Sequence, residues 1–362
     1  MSRFQIEVAA VGDLQLGDSP ICVGFGFASL HETAEEFSRA IEAVRVPFSG
    51  AQVVLGNLET VLGPDPDVSS LRGGQLRGRR SYAKTLREIG FTVLHVANNH
   101  AAQHGVEAFH SSVTAVTQEG IACCGLRGSE PWVSEPVRMT LSSGARAGVL
   151  GYCRRPRQYG DAMPPYAEGT DEGILADVRR LREEVDALIV SLHWGEEFVV
   201  RPSVSERMFA TALSTAGADL IVGHHPHVTR PIETMGRSVV AYSLGNCVAD
   251  MIWQDQLRRG LVLRCRITDQ GVERLSVVPT YIDGDYHVTL ADDASPATAG
   301  PAGAALDDGE YQRQVRKTVR QQQLAAYRYA LRNLGRYRGR MLYDLVTTTL
   351  RNKMASVTMN HD

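Results

Sequence analysis

Nothing in the 362 residues is long and apolar enough to read as a membrane span. The opening stretch, MSRFQIEVAAVGD, lacks both a long apolar core and a small-residue cleavage site, and Glu7 interrupts its short apolar run. It therefore reads as a first strand and not as a signal peptide. The six cysteines (Cys22, Cys123, Cys124, Cys153, Cys247, Cys265) contain no C-x-x-C pair, which argues against a thiolate zinc site. Set mostly at strand positions, they read as small core residues, and a reducing cytoplasm is the expected compartment. A net charge of −3, with 22% charged residues, is ordinary for a soluble protein and speaks against nucleic acid as the main partner. The length suits one large α/β domain with an appendage, and 43% hydrophobic residues are ample for a core.

What is present is an alternation of short apolar strands and amphipathic helices. Strands are expected at 4–12, 51–57, 91–99, 186–192 and 218–222, and helices over 32–46, 83–89, 105–119, 172–184 and 203–216. Residues 137–152 read as a hairpin closed by Ser-Gly, and 238–279 are β-rich. Helices between strands early and hairpins late predict an α/β protein with a mixed sheet or paired sheets and helices outside. Residues 284–309, rich in Ala, Gly, Pro and Asp, read as a flexible linker. Beyond it lies a basic helical extension, in which residues 311–353 hold eleven Lys/Arg against one acid, Asp344. Two readings stay open there: a helical appendage packed on the domain, or a basic amphipathic surface for a membrane, an anionic polymer or a partner protein.

Six short stretches place carboxylates, amides or imidazoles directly after apolar strands: VGD (11–13), GNLE (56–59), ANNH (97–100), SLHWGEE (191–197), GHHPHV (223–228) and YSLGN (242–246). Strand C-terminal ends of an α/β sheet are where ligand sites collect. Brought together, Asp13, Glu59, Asn99, His193, His225 and His227 offer mixed oxygen and nitrogen ligands for two divalent ions, of a kind that suits Mn, Fe or Zn. In an extended segment His225 and His227 would share a face, with Pro226 stiffening the step between them and His224 turned away.

In that order the motifs resemble the CapA (capsule/poly-γ-glutamate synthesis) family of the calcineurin-like metallophosphoesterase superfamily, over about residues 5–280. The resemblance implies a four-layer αββα sandwich over residues 1–283 with a two-metal site at one edge. By position it implies Asp13 on the first metal, Glu59 bridging, Asn99, His193 and His225 on the second, and His227 returning to the first. His100, beside Asn99, takes the place of the catalytic histidine that contacts the leaving group. This chain departs from the pattern at Gln15 (usually His), Asp18 (Arg), Gln103 (Asp) and Arg230 (Gln).

Around this set, Glu197, Arg80, Arg230 and Asn246 are candidates to contact an anionic substrate. The arginines of loop 71–81 and the trio Arg154, Arg155 and Arg157 are further cations that could close over it. Three functions stay open at this point: a two-metal hydrolase of an anionic substrate, most simply a phosphoester; a biosynthetic component for a γ-glutamyl or capsule-type product; and a degenerate binding subunit.

Overall fold

The computed structural model describes residues 3–159, 163–291 and 305–337. Its strands are β1 (Gln5–Leu14), β2 (Val53–Leu58), β3 (Val61–Gly63), β4 (Arg77–Arg79), β5 (Val93–His95), β6 (Ala122–Cys124), β7 (Val137–Thr140) and β8 (Arg146–Cys153). They continue as β9 (Ala187–His193), β10 (Leu220–His224), β11 (Ile232–Met235), β12 (Ser238–Ala241), β13 (Asn246–Val248), β14 (Arg259–Thr268), β15 (Gly271–Ile282) and β16 (Val288–Leu290). One sheet runs β16-β15-β14-β1-β2-β5-β6 with β13 beside β1, the other runs β11-β12-β10-β9-β8-β7, and β3 pairs with β4 in a small third sheet.

Strand alternation builds the layers. Ile6, Val8 and Ala10 of β1 join Val53 and Leu55 of β2 in a core shared with Ala187, Ile189, Leu220 and Val222 of the second sheet. Their neighbours point the other way: Ala9, Val11 and Val54 pack under helices Ala34–Ile41, Tyr82–Ile89 and Val106–Gln118, while Leu188, Val190 and Ile221 pack under Asp171–Arg182 and Val204–Ala216. Both faces of each central strand are apolar because both are covered, and the result is four layers, αββα. Hydroxyls close the helix starts: Thr33 and Ser203 each form a capping box, with Glu36 and Glu206.

The expected hairpin is β7–β8, turned at Ser143–Gly144. The expected linker 284–309 needs correction at both ends. Its start forms β16, paired to β15 through three residues, because the 283–287 turn returns the chain along the sheet edge. Its end docks as well, with Leu306 bridging to Ser203 and Asp307 capping helix Asp308–Arg332. The intervening residues 292–304, and 338–362 of the basic extension, lie outside the described residues.

Candidate metal centre

Parallel pairing sets the site. β1, β2 and β5 run parallel in one sheet and β8, β9, β10 and β12 in the other, so their C-terminal ends meet at one edge of the sandwich. Asp13 lies in β1, Glu59 follows β2, Asn99 follows β5, His193 ends β9, and His225 and His227 follow β10. Close backbone approach is required here. A Cβ on Gly12 would lie 1.8 Å from the Gly245 carbonyl, the same group that accepts from Asp13 N at 2.9 Å.

All six predicted ligands converge and are buried. Glu59 Oε1 is 3.4 Å from His193 Nε2, and Glu59 Oε2 and Asp13 Oδ2 are 3.8 and 3.3 Å from His227 Nδ1. Asn99 Oδ1 lies 2.7 Å from His193 Nε2, and one ligand atom each from Glu59, His225 and His227 falls within 4.8 Å of the others. The route to this geometry differs from the extended one expected of H-P-H. His225 and His227 both sit at positive φ, +95° and +56°, so a tight left-handed turn aims their rings, at about 1–3 kcal/mol of strain each. His224 stands behind Asp13, 3.6 Å from its Oδ1, and bonds Ser191 Oγ at 3.1 Å.

The donor set fits divalent cations on its own chemistry. Both Glu59 oxygens and both His225 ring nitrogens are buried without a hydrogen-bond partner, although unpartnered buried polar atoms are costly. Burial, joined by the charges of Asp13 and Glu197, raises the Glu59 carboxyl well above its usual range despite His227 and Gln15. Burial also opposes ionisation of Asp13, but His227, His224 and Asn57 outweigh it and hold that carboxyl low. Burial and neighbouring imidazoles keep His193 far below its usual value, and burial and the Arg155 guanidinium do the same for His225. Neutral imidazoles of this kind offer lone pairs. His227 is the exception: against the effect of burial, Glu59 and Asp13 raise it to about 10, so one proton balances part of the paired carboxylate charge.

Several supporting residues carried no signal in the sequence. Asn57 Nδ2 donates to Asp13 Oδ1 at 2.8 Å and lies 3.2 Å from His193 Nδ1, and Asn99 Nδ2 donates to Gln158 Oε1 at 3.2 Å. The Tyr159 ring lies 6.1 Å from that of His100. GNLE does contain Asn57, but nothing in its spacing separates a residue that orients ligands from a turn former. Gln103, three residues past His100, takes up its Nδ1 at 2.7 Å, and burial pushes that imidazole down to about 4.

Three expected substrate contacts are corrected. Arg230 is fully buried and used up: it donates to Val199 O, Glu206 Oε1, Glu196 O and Tyr311 Oη at 2.6–3.2 Å, because a buried guanidinium must satisfy all its donors locally. Asn246 bonds His227 Nδ1 at 3.0 Å and Leu257 O at 2.9 Å, so its amide is taken up by His227 and the backbone. Arg80 reaches Gln118 Oε1 at the far end of helix Val106–Gln118, away from the ANNH loop. Arg77, Arg79, Arg154, Arg155 and Arg157 are likewise taken, by His104, Asp65, Asp171, Glu196 and Glu168. Glu197 remains near the centre, where its charge bears on Glu59 and His227.

The bacterial capsule synthesis protein family PGA_cap matches residues 7–251, the span that holds all six clustered residues. The chain belongs to that family. Among PGA_cap relatives, the PGA biosynthesis protein CapA of Bacillus subtilis is 27% identical over 279 residues, 76% of this chain and 71% of that protein. The capsule biosynthesis protein CapA of Bacillus anthracis is 29% identical over 256 residues, 67% of this chain and 57% of its own length. A probable polyglutamine synthesis accessory protein of Mycobacterium tuberculosis is 26% identical over 216 residues, 56% of this chain and 57% of its own. Among solved structures, a 5'-nucleotidase from Candida albicans aligns with 89% of this chain and 60% of its own at 12% identity and TM-score 0.45, too remote to add to the topology. Among the described residues, no helix of this PGA_cap chain is long and apolar enough to cross a membrane.

Proposed function

We propose that the chain is a dinuclear-metal hydrolase acting on an anionic substrate, most simply a phosphoester. The observation that carries this reading is the pair of buried carboxylates facing three imidazoles and the Asn99 amide, with the Glu59 and His225 donor atoms unpartnered. Asp13, Glu59 and His227 would hold one ion, and Glu59, Asn99, His193 and His225 the other. Such a pair supplies Lewis-acid charge and an acidified water near neutral pH. The protein's own groups do the rest. Asn57 and Asn246 fix Asp13 and His227, while Gln158 fixes Asn99. His100, a catalytic candidate next to Asn99, is held at Nδ1 by Gln103, which leaves Nε2 as the nitrogen that can pass a proton to a leaving oxygen. Neutral His100 needs an anionic substrate beside it to take up that proton.

The test is metal content together with hydrolysis of an aryl phosphate. About two ions per chain and turnover lost in both His225→Ala and His100→Ala support the reading, with metal retained only in the second. A protein free of metal after supplementation would refute it.

A second reading rests on the relatives named for PGA and capsule biosynthesis: the same centre would serve a γ-glutamyl or capsule-type product. ATP-dependent amide formation from glutamate, without phosphoester turnover, would favour it. Six unpaired, buried cysteines support a reducing compartment for either role.

A further inference from the structure

Helix Asp308–Arg332 has two unlike faces. Tyr311, Thr318 and Gln322 are buried against the domain, and Tyr329 follows on the same side. Tyr311 Oη accepts from Glu196 N at 3.0 Å, Gln322 Oε1 accepts from Trp253 Nε1 at 3.2 Å, and Tyr329 Oη meets Tyr286 Oη at 3.3 Å. Just past the helix, Tyr337 packs edge-on against Phe25 at 5.1 Å. The partners at 196, 253 and 25 are in loops that follow β9, β13 and β1, so the helix lies along the sheet edge that carries the candidate metal centre.

Among the described residues, the other face is unpaired. Leu324, Tyr327, Leu331 and Leu334, spaced three, four and three apart, are 50%, 44%, 64% and 45% exposed. At 100° per residue Leu324, Tyr327 and Leu331 lie roughly opposite Gln322, and Leu334 follows in the 3-10 turn just past the helix. Arg313, Arg316, Lys317, Arg320, Arg328 and Arg332 are exposed beside or before it. No acid occurs from 311 to 337, and among the described residues none of these six cations has an ion-pair partner.

We propose that this face docks on an anionic lipid bilayer, with Leu324, Tyr327, Leu331 and Leu334 entering the headgroup boundary and the flanking cations meeting lipid phosphates. Charge complementarity selects the occupant. Residues 338–362 carry four Lys/Arg against two Asp, so they do not neutralise the face. A soluble polycarboxylate would satisfy the cations but leave four large apolar side chains in water. A bilayer with acidic headgroups satisfies both, as basic amphipathic helices do. Docking would bring the metal-centre edge to the membrane surface, and it does not depend on which reaction that centre performs.

The experiment is co-sedimentation of the full chain with vesicles of phosphatidylcholine alone and with roughly a third phosphatidylglycerol. Binding is expected only to the acidic vesicles, and to weaken as salt rises. Leu324→Ser/Leu331→Ser and Arg320→Gln/Arg328→Gln should each weaken it by about tenfold or more. Both pairs face outward, so unchanged circular dichroism and melting would certify the fold of each variant. Each of the following results would overturn the proposal. These are no binding, equal binding to both vesicle types, variants that bind like the parent, and capture of soluble poly-glutamate unaffected by the leucine substitutions. Micromolar dimerisation abolished by the leucine variant would assign the face to a second copy and equally end it.

Discussion

Asp250→Asn should stabilise this protein, and more so as pH rises. Asp250 and Asp18 are buried side by side: a Cβ on Gly26 would lie 2.1 Å from Asp250 Oδ2 and 2.8 Å from Asp18 Oδ1. Asp18 is well supplied, accepting from Gly24 N at 2.9 Å and from Ser29 N at 3.1 Å. Asp250 accepts from Ser19 N at 2.9 Å through Oδ2, while its Oδ1 has no partner. Burial first, and then the Asp18 charge, push Asp250 up from 3.8 to about 7. The folded state thus keeps a proton that the unfolded chain releases near 3.8, so between about pH 4 and 7 stability falls as pH rises. Three units at ~1.36 kcal/mol each set a ceiling of about 4 kcal/mol, and relaxation around the pair brings the expected cost to ~2 kcal/mol at pH 8. An asparagine keeps the acceptor for Ser19 N and removes the buried charge. Urea melts of parent and variant at pH 5, 6, 7 and 8 should show an advantage that grows up to about pH 7 and then levels off. A difference independent of pH, or a variant less stable at pH 8, would refute the reasoning.

Other changes separate structural from functional roles. Arg230→Gln should cost about 3–5 kcal/mol in a urea melt, because Glu206 loses its buried partner; a stable variant impaired only in substrate affinity would restore Arg230 as a substrate contact. Glu59→Gln should lower bound metal, measured by mass spectrometry, yet raise the melting temperature of chelator-treated protein by a few degrees, since it removes a buried acid whose two oxygens have no hydrogen-bond partner. Gly12→Ala should cost roughly 3 kcal/mol or more, as its methyl would meet the backbone carbonyl of Gly245 at 1.8 Å. Tyr311→Phe should release ~1 kcal/mol of the helix attachment, seen as faster amide exchange over 308–332 with little change near β1.

Reading strands from the chain worked best where a covered sheet imposes apolar residues on both faces, as in LIV at 220–222 and ALIV at 187–190. The same strands end in the residues that cluster at the edge, so the convergence of all six was legible: each stands at or just past a strand's C-terminal end, and parallel pairing brings those ends together. Asn57, which bridges Asp13 and His193, was not legible, because an amide after a strand looks the same whether it orients a ligand or caps a turn.

What the amino-acid order determined alone was therefore which six side chains gather at the sheet edge, the alternation that layers the sandwich, and the basic amphipathic helix. Tertiary structure decided the rest. It put His225 and His227 in left-handed backbone instead of an extended strand, and it turned Asn246 toward His227. It also committed Arg230 to Glu206, Glu196, Val199 and Tyr311. The reason is reach: periodicity and strand ends are local properties written in neighbouring residues, whereas a guanidinium's acceptors or a ring's direction depend on groups tens of residues away whose positions exist only once the sheets have closed.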